Sequence, residues 1–387
     1  MLEQKARQMS GFFIGTIRKA EQFHPMTEPL SRTPLFDFHV ALGARIVPFA
    51  GWEMPVQYSG IIEEHIAVRK AAGLFDVSHM GEARVRGRDA AAFLDHLMTN
   101  EMASIKPGSA RYTIMCQPDG GCVDDLIVYR ISENEFFICL NASNAKKDIA
   151  WMQSHIGTHQ VEVIDECKSW AQLALQGPLA EKILSLVTDL PLAEIKRFHF
   201  RIGTVAGASD CIVSRTGYTG SAGFEIYLPA SKATAVAQKL IEVGKPVGLL
   251  PVGLGARDSL RLEAGYPLYG HEISETISPI QAGLGWTVKL NKGDFIGRAA
   301  LQKQTSEGTA SKVIHYTLND RRIARQGTPI LSGDTVVGEV LSGTLSPILN
   351  KPIGSALIQT NAKPETLAVD IRGTRIPLEI AIAPFVK

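Results

Sequence analysis

The sequence predicts an α+β fold that ends in a small all-β domain. Three observations carry this. From about residue 33 to residue 300, short apolar runs alternate with amphipathic helical stripes, without the regular βαβ rhythm of a parallel sheet. The strand-like runs are separated by Gly and Pro turns, the punctuation of antiparallel pairing. From "KVIHYTLND" (312–320) onward only short strands with Gly, Asn and Asp turns remain, the pattern of a small barrel. A chain of 387 residues is long enough for two or three domains.

The elements follow in order. "IIEEHIAVRKAAGLFDVS" (61–78) puts Ile62, His65, Ile66 and Arg69 on one helical stripe beside Ile61, Ala67 and Val68, with Gly73 as its C-terminal stop. "GRDAAAFLDHLMTN" (87–100) is a second amphipathic helix with Phe93, Leu94 and Leu97 inward. "RYTIMC", "DDLIVYRI" and "EFFICLN" read as strands of one antiparallel sheet, followed by the helix "NAKKDIAWMQSHI". From about 160 a similar succession returns, with strands at "HQVEVID", "WAQLALQG", "DCIVSRTGY" and "FEIYLP". Its helices are "PLAEKILSLV", with Pro178 at a first helical position, and "SKATAVAQKLIEVG". "QKQTSEGTAS" (302–311) is polar and small, a linker. Beyond it "LSGDTVVG" and "IRGTRI" read as hairpins. The division expected is a flexible extension at 1–30, a main region at 31–300 and a barrel at 311–387.

Composition narrows the function classes. Lys plus Arg is 40 against 39 for Asp plus Glu, so there is no net-charge footprint of a nucleic-acid or acidic-membrane partner. The five cysteines form no CxxC pair. That pattern implies a reducing compartment, unbridged thiols and no structural zinc. No apolar stretch reaches the ~18 residues that span a bilayer. The first 25 residues have mixed charge and only a brief apolar patch, "FFIG", which suits neither a secretory signal nor, given Glu3 and Glu21, a mitochondrial leader. A flexible tail, or an upstream start before Met26, is the expectation.

Four motifs carry candidate chemistry. "DGGCVDDLIVYR" (119–130) begins with turn residues and continues as a strand. Alternation sends Asp124, Leu126 and Val128 to one face and Asp125, Ile127 and Tyr129 to the other, so the two carboxylates point apart. Pattern alone leaves two readings open: solvated turn groups, or one functional aspartate. "SRTGYTGSAGFEIYLP" (214–229) is a hairpin whose Gly217, Gly220 and Gly223 would let a ligand near the backbone, with Glu225 at the mouth of the loop. Glu225 is either a solvated strand glutamate or an acceptor for two parallel N–H bonds from a planar amidine-like edge. In "PVGLGARDSLRLEAGYPLYG" (251–270) the GxG has Asp258 where a dinucleotide fingerprint needs glycine. Arg257 and Arg261 there suit a carboxylate ligand or a salt-bridged surface equally. His79 in "FDVSHMGE" has no nucleophile at a recognisable spacing, which favours a packed or capping role. There is no P-loop.

Taken together, "RTPLFDFHVALGARIVPFAGWEMPVQY", "AVRKAAGLFDVSHMGE", "GGCVDDLIVY", "SRTGYTGSAGFEIY", "GLGARDSLRLEAGYPLYG" and "VKLNKGDFIGRAAL" resemble, in order, the T-protein family of the glycine cleavage system. Members are tetrahydrofolate-dependent aminomethyltransferases. The resemblance runs from about Arg32 into the C-terminal barrel. It implies a three-domain ring, two α+β lobes with antiparallel sheets built from non-contiguous chain plus the barrel, with folate in a central channel. It places the catalytic aspartate on Asp125, the pterin-binding glutamate on Glu225, the "GARD" arginine on Arg257 and folate-lining tyrosines on Tyr112, Tyr218 and Tyr266. Tyr129 shares the face of Asp125. The activity implied is transfer of the methylene of an S-aminomethyl-dihydrolipoyl group, carried by H-protein, to tetrahydrofolate, giving 5,10-methylenetetrahydrofolate and ammonia. Tetrahydrofolate is a co-substrate, no metal is implied, and the P- and L-proteins are further partners. A bacterial-type cytoplasm is expected ahead of a mitochondrial matrix.

The chain ends at "APFVK", without the basic and aromatic tail with which the family often continues. The same fold hosts folate-dependent demethylases and a non-catalytic folate-binding iron–sulfur assembly factor. The latter's KGCYxGQ element is not matched, because "NKGDFIG" has Asp294 in place of the cysteine.

Overall fold

A computed structural model describes residues 29–386. The expectation for the N-terminal extension falls almost wholly outside them. In chain order the elements begin α1 (Phe36–Ala41), β1 (Arg45–Phe49), β2 (Trp52–Gln57), α2 (Ile61–Lys70), β3 (Ala72–Asp76), β4 (Gly81–Arg86) and α3 (Ala90–Leu97). Next come β5 (Ser109–Cys116), β6 (Cys122–Ser132), β7 (Glu135–Leu140), α4 (Ala145–Ser154), β8 (Glu162–Asp165), β9 (Trp170–Gln176) and α5 (Ala180–Leu184). Then follow β10 (Phe200–Val205), β11 (Ala208–Ser214), β12 (Gly223–Pro229), α6 (Ala233–Gly244), β13 (Leu249–Pro251), α7 (Leu254–Ala264) and α8 (Arg298–Glu307). The last six strands are β14 (Ser311–Leu318), β15 (Pro329–Ser332), β16 (Thr335–Ser346), β17 (Lys351–Gln359), β18 (Leu367–Ile371) and β19 (Thr374–Ala381). The fold is α+β with antiparallel sheets, as the missing βαβ rhythm predicts.

The chain divides into two compact units, each made of two separate stretches. In the first, up to Gly81 and from Glu166 to Arg261, six strands run in the order β10-β11-β12-β9-β3-β13. Only β13 lies parallel to its neighbour, β3. Leu173 and Leu175 of β9 and Phe224, Ile226 and Leu228 of β12 pack under Val236 and Leu240 of α6. Ala174 and Phe75 join Val252 and Leu260 in a second apolar cluster. A sheet buried on both faces explains why its strands read as nearly continuous apolar runs.

The second unit comprises Glu82–Asp165 and the chain from Leu262. Its five-stranded sheet has the order β5-β6-β7-β4-β8, and β14-β17-β16-β15-β18-β19 close a six-stranded barrel. The two predicted hairpins are β15/β16 and β18/β19. In α3, Phe93, Leu94 and Leu97 are fully buried, as its stripe predicts.

Three expectations fail locally. The smallest is Pro178, which lies in the turn before α5 and its N-cap Leu179 rather than at the first helical position. The first helix stops at Lys70, and Gly73 lies inside β3 rather than capping the helix. Glycine is needed there for space, since a Cβ would sit 2.5 Å from Val68 and 2.6 Å from Val252. The polar "linker" is mostly α8, which ends at Gly308 with a positive φ of 83 that favours glycine. Only Leu301 of that helix is buried, so no apolar stripe marked it. Among the described residues no helix is long and apolar enough to cross a membrane.

Candidate active site

In the second unit, chemistry gathers on β6. This strand pairs with β5 so that Asp125 faces Ile114 and Asp124 faces Met115. Tyr112 lies two residues from Ile114, hence on the Asp125 face, a diagonal cross-strand neighbour. Its hydroxyl donates to Asp125 Oδ2 at 2.9 Å. Asn141, the first residue after β7, donates Nδ2 to Asp125 Oδ1 at 2.9 Å and to Asp124 Oδ1 at 2.9 Å. The two carboxylates leave opposite sides of the strand, yet one amide bridges them at its end.

Asp124 is fully buried, so the reading of both residues as solvated turn groups is corrected. It also accepts from Asn144 Nδ2 at 2.8 Å and from the Asn141 backbone N–H at 3.3 Å. Turn chemistry belongs instead to Asp119, whose Oδ1 accepts from the Gly121 N–H at 3.0 Å. Gly120 takes a left-handed conformation (φ 92) in that turn. Asp125 is half-buried. Burial, with the Asp124 charge second, pushes its carboxyl up to about 7, while Tyr112 and Asn141 pull it back down.

In the first unit, Glu225 sits on β12, opposite Ser214 of β11 and Ala174 of β9. At 6% exposed it is no solvated strand glutamate, which corrects the blander expectation. Gln172 on β9 donates to Oε1 at 3.1 Å, and no donor among the described residues reaches Oε2. Burial raises the Glu225 carboxyl, opposed by Thr216, by the Arg257 charge and by Gln172. The Arg257 guanidinium lies 4.5 Å from the centre of the Tyr218 ring, a cation–π contact. Arg261 is nearly fully buried and ion-paired to Asp258 at 2.9 Å.

Gly217 and Gly223 of the 214–229 hairpin make room for the protein's own atoms rather than opening the backbone to a ligand. A Cβ on Gly217 would fall 2.0 Å from Gln176 Oε1, and one on Gly223 2.4 Å from the Leu175 carbonyl. His79 is buried, edge-on to Phe49 at 5.7 Å, with Nδ1 unmatched among the described residues. Burial, then the Arg257 charge, pushes it down to about 4, so it is neutral at pH 7.

The structure therefore brings Asp125 and Tyr112 together in one unit, and Glu225, Arg257 and Tyr218 in the other. Tyr129, on the Asp125 face, is wholly enclosed and edge-on to Phe137 at 6.0 Å. Tyr266 is half-buried just beyond α7. Sequence reasoning missed Asn141, Asn144, Gln172 and Trp286. The last is 58% exposed and stacks on Tyr112 with centroids 5.8 Å apart. Gln172 left a signal, a polar residue in an otherwise apolar central strand. Asn141 left none, because asparagine at a strand end reads as a turn.

A half-buried carboxyl that titrates near 7 can stabilise an adjacent cation when ionised and exchange a proton at neutral pH. A buried carboxylate with one oxygen unmatched can accept an N–H from a ligand. Among the described residues no group of three or more His, Cys, Asp or Glu side chains is gathered as for a metal.

Comparison with known proteins follows these clusters. A family model described as the GCVT N-terminal domain matches residues 35–292, and one described as the glycine cleavage T-protein C-terminal barrel domain matches 312–387. An aminomethyltransferase of Alkaliphilus oremlandii (strain OhILAs) is 51% identical over 347 residues, 90% of this chain and 94% of that protein. One from Geobacillus kaustophilus (strain HTA426) is 48% identical over 361 residues, 92% of this chain and 99% of its own. The crystal structure of glycine cleavage system aminomethyltransferase T from Bartonella henselae superposes with a TM-score of 0.86 at 34% identity, covering 92% of this chain and 98% of that one.

Proposed function

The chain belongs to the glycine cleavage T-protein family of aminomethyltransferases, and on that premise we propose that it moves the methylene of an H-protein's S-aminomethyl-dihydrolipoyl group to tetrahydrofolate. The products are 5,10-methylenetetrahydrofolate and ammonia. The observation that supports this best is Asp125: a half-buried carboxyl near neutrality, gripped at both oxygens.

In this reading the carbon–sulfur bond breaks, the sulfur leaves as the thiolate of the lipoyl arm, and the methylene is transiently an iminium cation. One folate nitrogen adds to it, and the second then displaces the amine as ammonia. The two protons the folate nitrogens shed end on the amine and the thiolate. The Asp125 carboxylate stabilises that cation and accepts the proton shed by the folate nitrogen that captures it. The unmatched Glu225 Oε2 accepts an N–H of the pterin edge, a donor set that fits the group. Arg257 and Tyr218 bind beside it and Tyr266 lines the folate, whereas Tyr129, wholly enclosed, has no surface to offer a ligand. Residues 31–300 form the catalytic region, and 311–387 the barrel. A reducing bacterial cytoplasm suits five cysteines of which none is in a disulfide.

The test is ammonia release from aminomethylated H-protein, with and without tetrahydrofolate. Release that depends strictly on folate is expected. Folate-independent release, or turnover of a sulfonium methyl donor in its place, would overturn the reading.

A further inference from the structure

Beside Asp124 lies a second buried carboxyl that the transfer reaction, as proposed, leaves unused. Asp148, in the first turn of α4, is fully buried, and its backbone N–H donates to Asn144 O at 2.8 Å. Asn144 occupies the N-cap position of α4 but makes no side-chain cap bond there. Its amide is committed to Asp124 instead. Asn144 thus ties the two acids together, its carbonyl taking the Asp148 N–H and its amide giving to the Asp124 carboxylate.

The two acids are not equally supplied with donors. Asp124 accepts from two side-chain amides and one backbone N–H. No donor group of another residue, among those described, reaches either oxygen of Asp148. The cation next to it, Lys147, stands 3.8 Å from Oδ1 and is 38% exposed. That ammonium donates to the Val123 carbonyl and, at 3.3 Å, to the Tyr269 hydroxyl. Two buried carboxyls in contact do not both ionise, and the charge settles where the donors are. The proton then resides on Asp148, and its O–H supplies Asp124 with a further donor.

Resting on the functional reading above, we propose that Asp148 is a positioning residue that, as a neutral acid, hydrogen-bonds Asp124 and so holds the Asn141 amide where it donates to Asp125. The groups that bear on its titration are Lys147 on its own helix, Asp124 and Asp125 on β6, and Tyr269. Burial, then the bond with Asp124, pushes the Asp148 carboxyl up to about 10, in agreement with this arrangement.

The test uses the full-length chain. Asp148→Ala removes the donor, and kcat is expected to fall about tenfold, the size of one lost buried hydrogen bond, with little change in the KM for folate. Asp148→Asn keeps a neutral donor, so it should restore most of kcat and leave the acid limb of the pH profile in place. An alanine variant with wild-type kcat would overturn the proposal. So would an acid limb moved to lower pH in Asp148→Asn, since that is the signature of an ionised Asp148 being removed from beside Asp125. A second measurement needs no turnover and covers an alanine variant that does not fold. At about pH 8.5, between the titrations of Asp125 and Asp148, the infrared difference between wild type and Asp148→Asn should show the carbonyl stretch of a neutral carboxylic acid. Its absence would overturn the proposal. A wild-type chain without aminomethyl transfer would instead overturn the functional reading, leaving the infrared result to decide the proton.

Discussion

The two carboxylates on β6 and β12 start from the same situation and end in opposite ones. Both lie on inner strands of antiparallel sheets, and burial raises both. Asp125 has donors at each oxygen and acidic neighbours behind it. Glu225 has a donor at one oxygen, none at the other, and a cation nearby. The first arrangement sets when a proton binds. The second leaves a buried acceptor incomplete, the place our proposed function gives to the pterin. A carboxyl raised by burial therefore has no fixed role; where its donors sit, on both oxygens or on one, separates the two.

The largest expected effect tests the Asp125 side. Asp125→Asn should lose about 10²–10³ in kcat while keeping its affinity for tetrahydrofolate in calorimetry. Near-wild-type turnover would remove Asp125 from the reaction. Glu225→Gln should do the reverse, weakening folate about 10- to 100-fold, as expected for a lost charged hydrogen bond, with kcat at saturation nearly kept. Unchanged affinity would erase the contrast. Next comes pH. On the proposed reading Asp125 acts ionised, so kcat/KM should fall as pH drops through about 7. Tyr112→Phe deletes a donor that favours the anion; the acid limb should move up and kcat fall about fivefold. A limb that moves down would contradict the hydrogen bond's assigned effect.

The smallest expected effect is on stability. Asp125 and Asp148 titrate higher in the folded chain than the roughly 3.9 of an unfolded aspartate. Their protons therefore contribute stability that is complete below about pH 4 and is lost as pH rises through about 7 for Asp125 and about 10 for Asp148. The urea midpoint should decline from acid to alkaline pH, and less steeply in Asp148→Asn. Identical slopes in the two proteins would show that Asp148 does not hold the proton.

Much of the scaffold was legible from the chain. The stripe of α3, the hairpins of the barrel and the alternation that turned Asp125 and Asp124 apart are local periodicities, and each stands in the structure. Gly73 misled, because a glycine required by the side chains of Val68 and Val252 looks the same in a string as one required by a helix end. The polar stretch at α8 misled because a helix held by one buried leucine has no stripe to show. Within the site, Asp125 and Glu225 were named through resemblance and alternation. Asn141, 16 residues from Asp125, was not.

By itself the sequence determined which residues can form strands and helices, and on which face of its strand each carboxylate leaves. Period two and period 3.6 are properties of neighbours along the chain. Only the tertiary structure decided that Asp124 is enclosed, that one amide spans both aspartates, and that no donor among the described residues reaches the buried carboxyl 24 positions beyond Asp124. Protonation depends on how much water is excluded and on which donors arrive from distant segments, and neither quantity is written in local spacing.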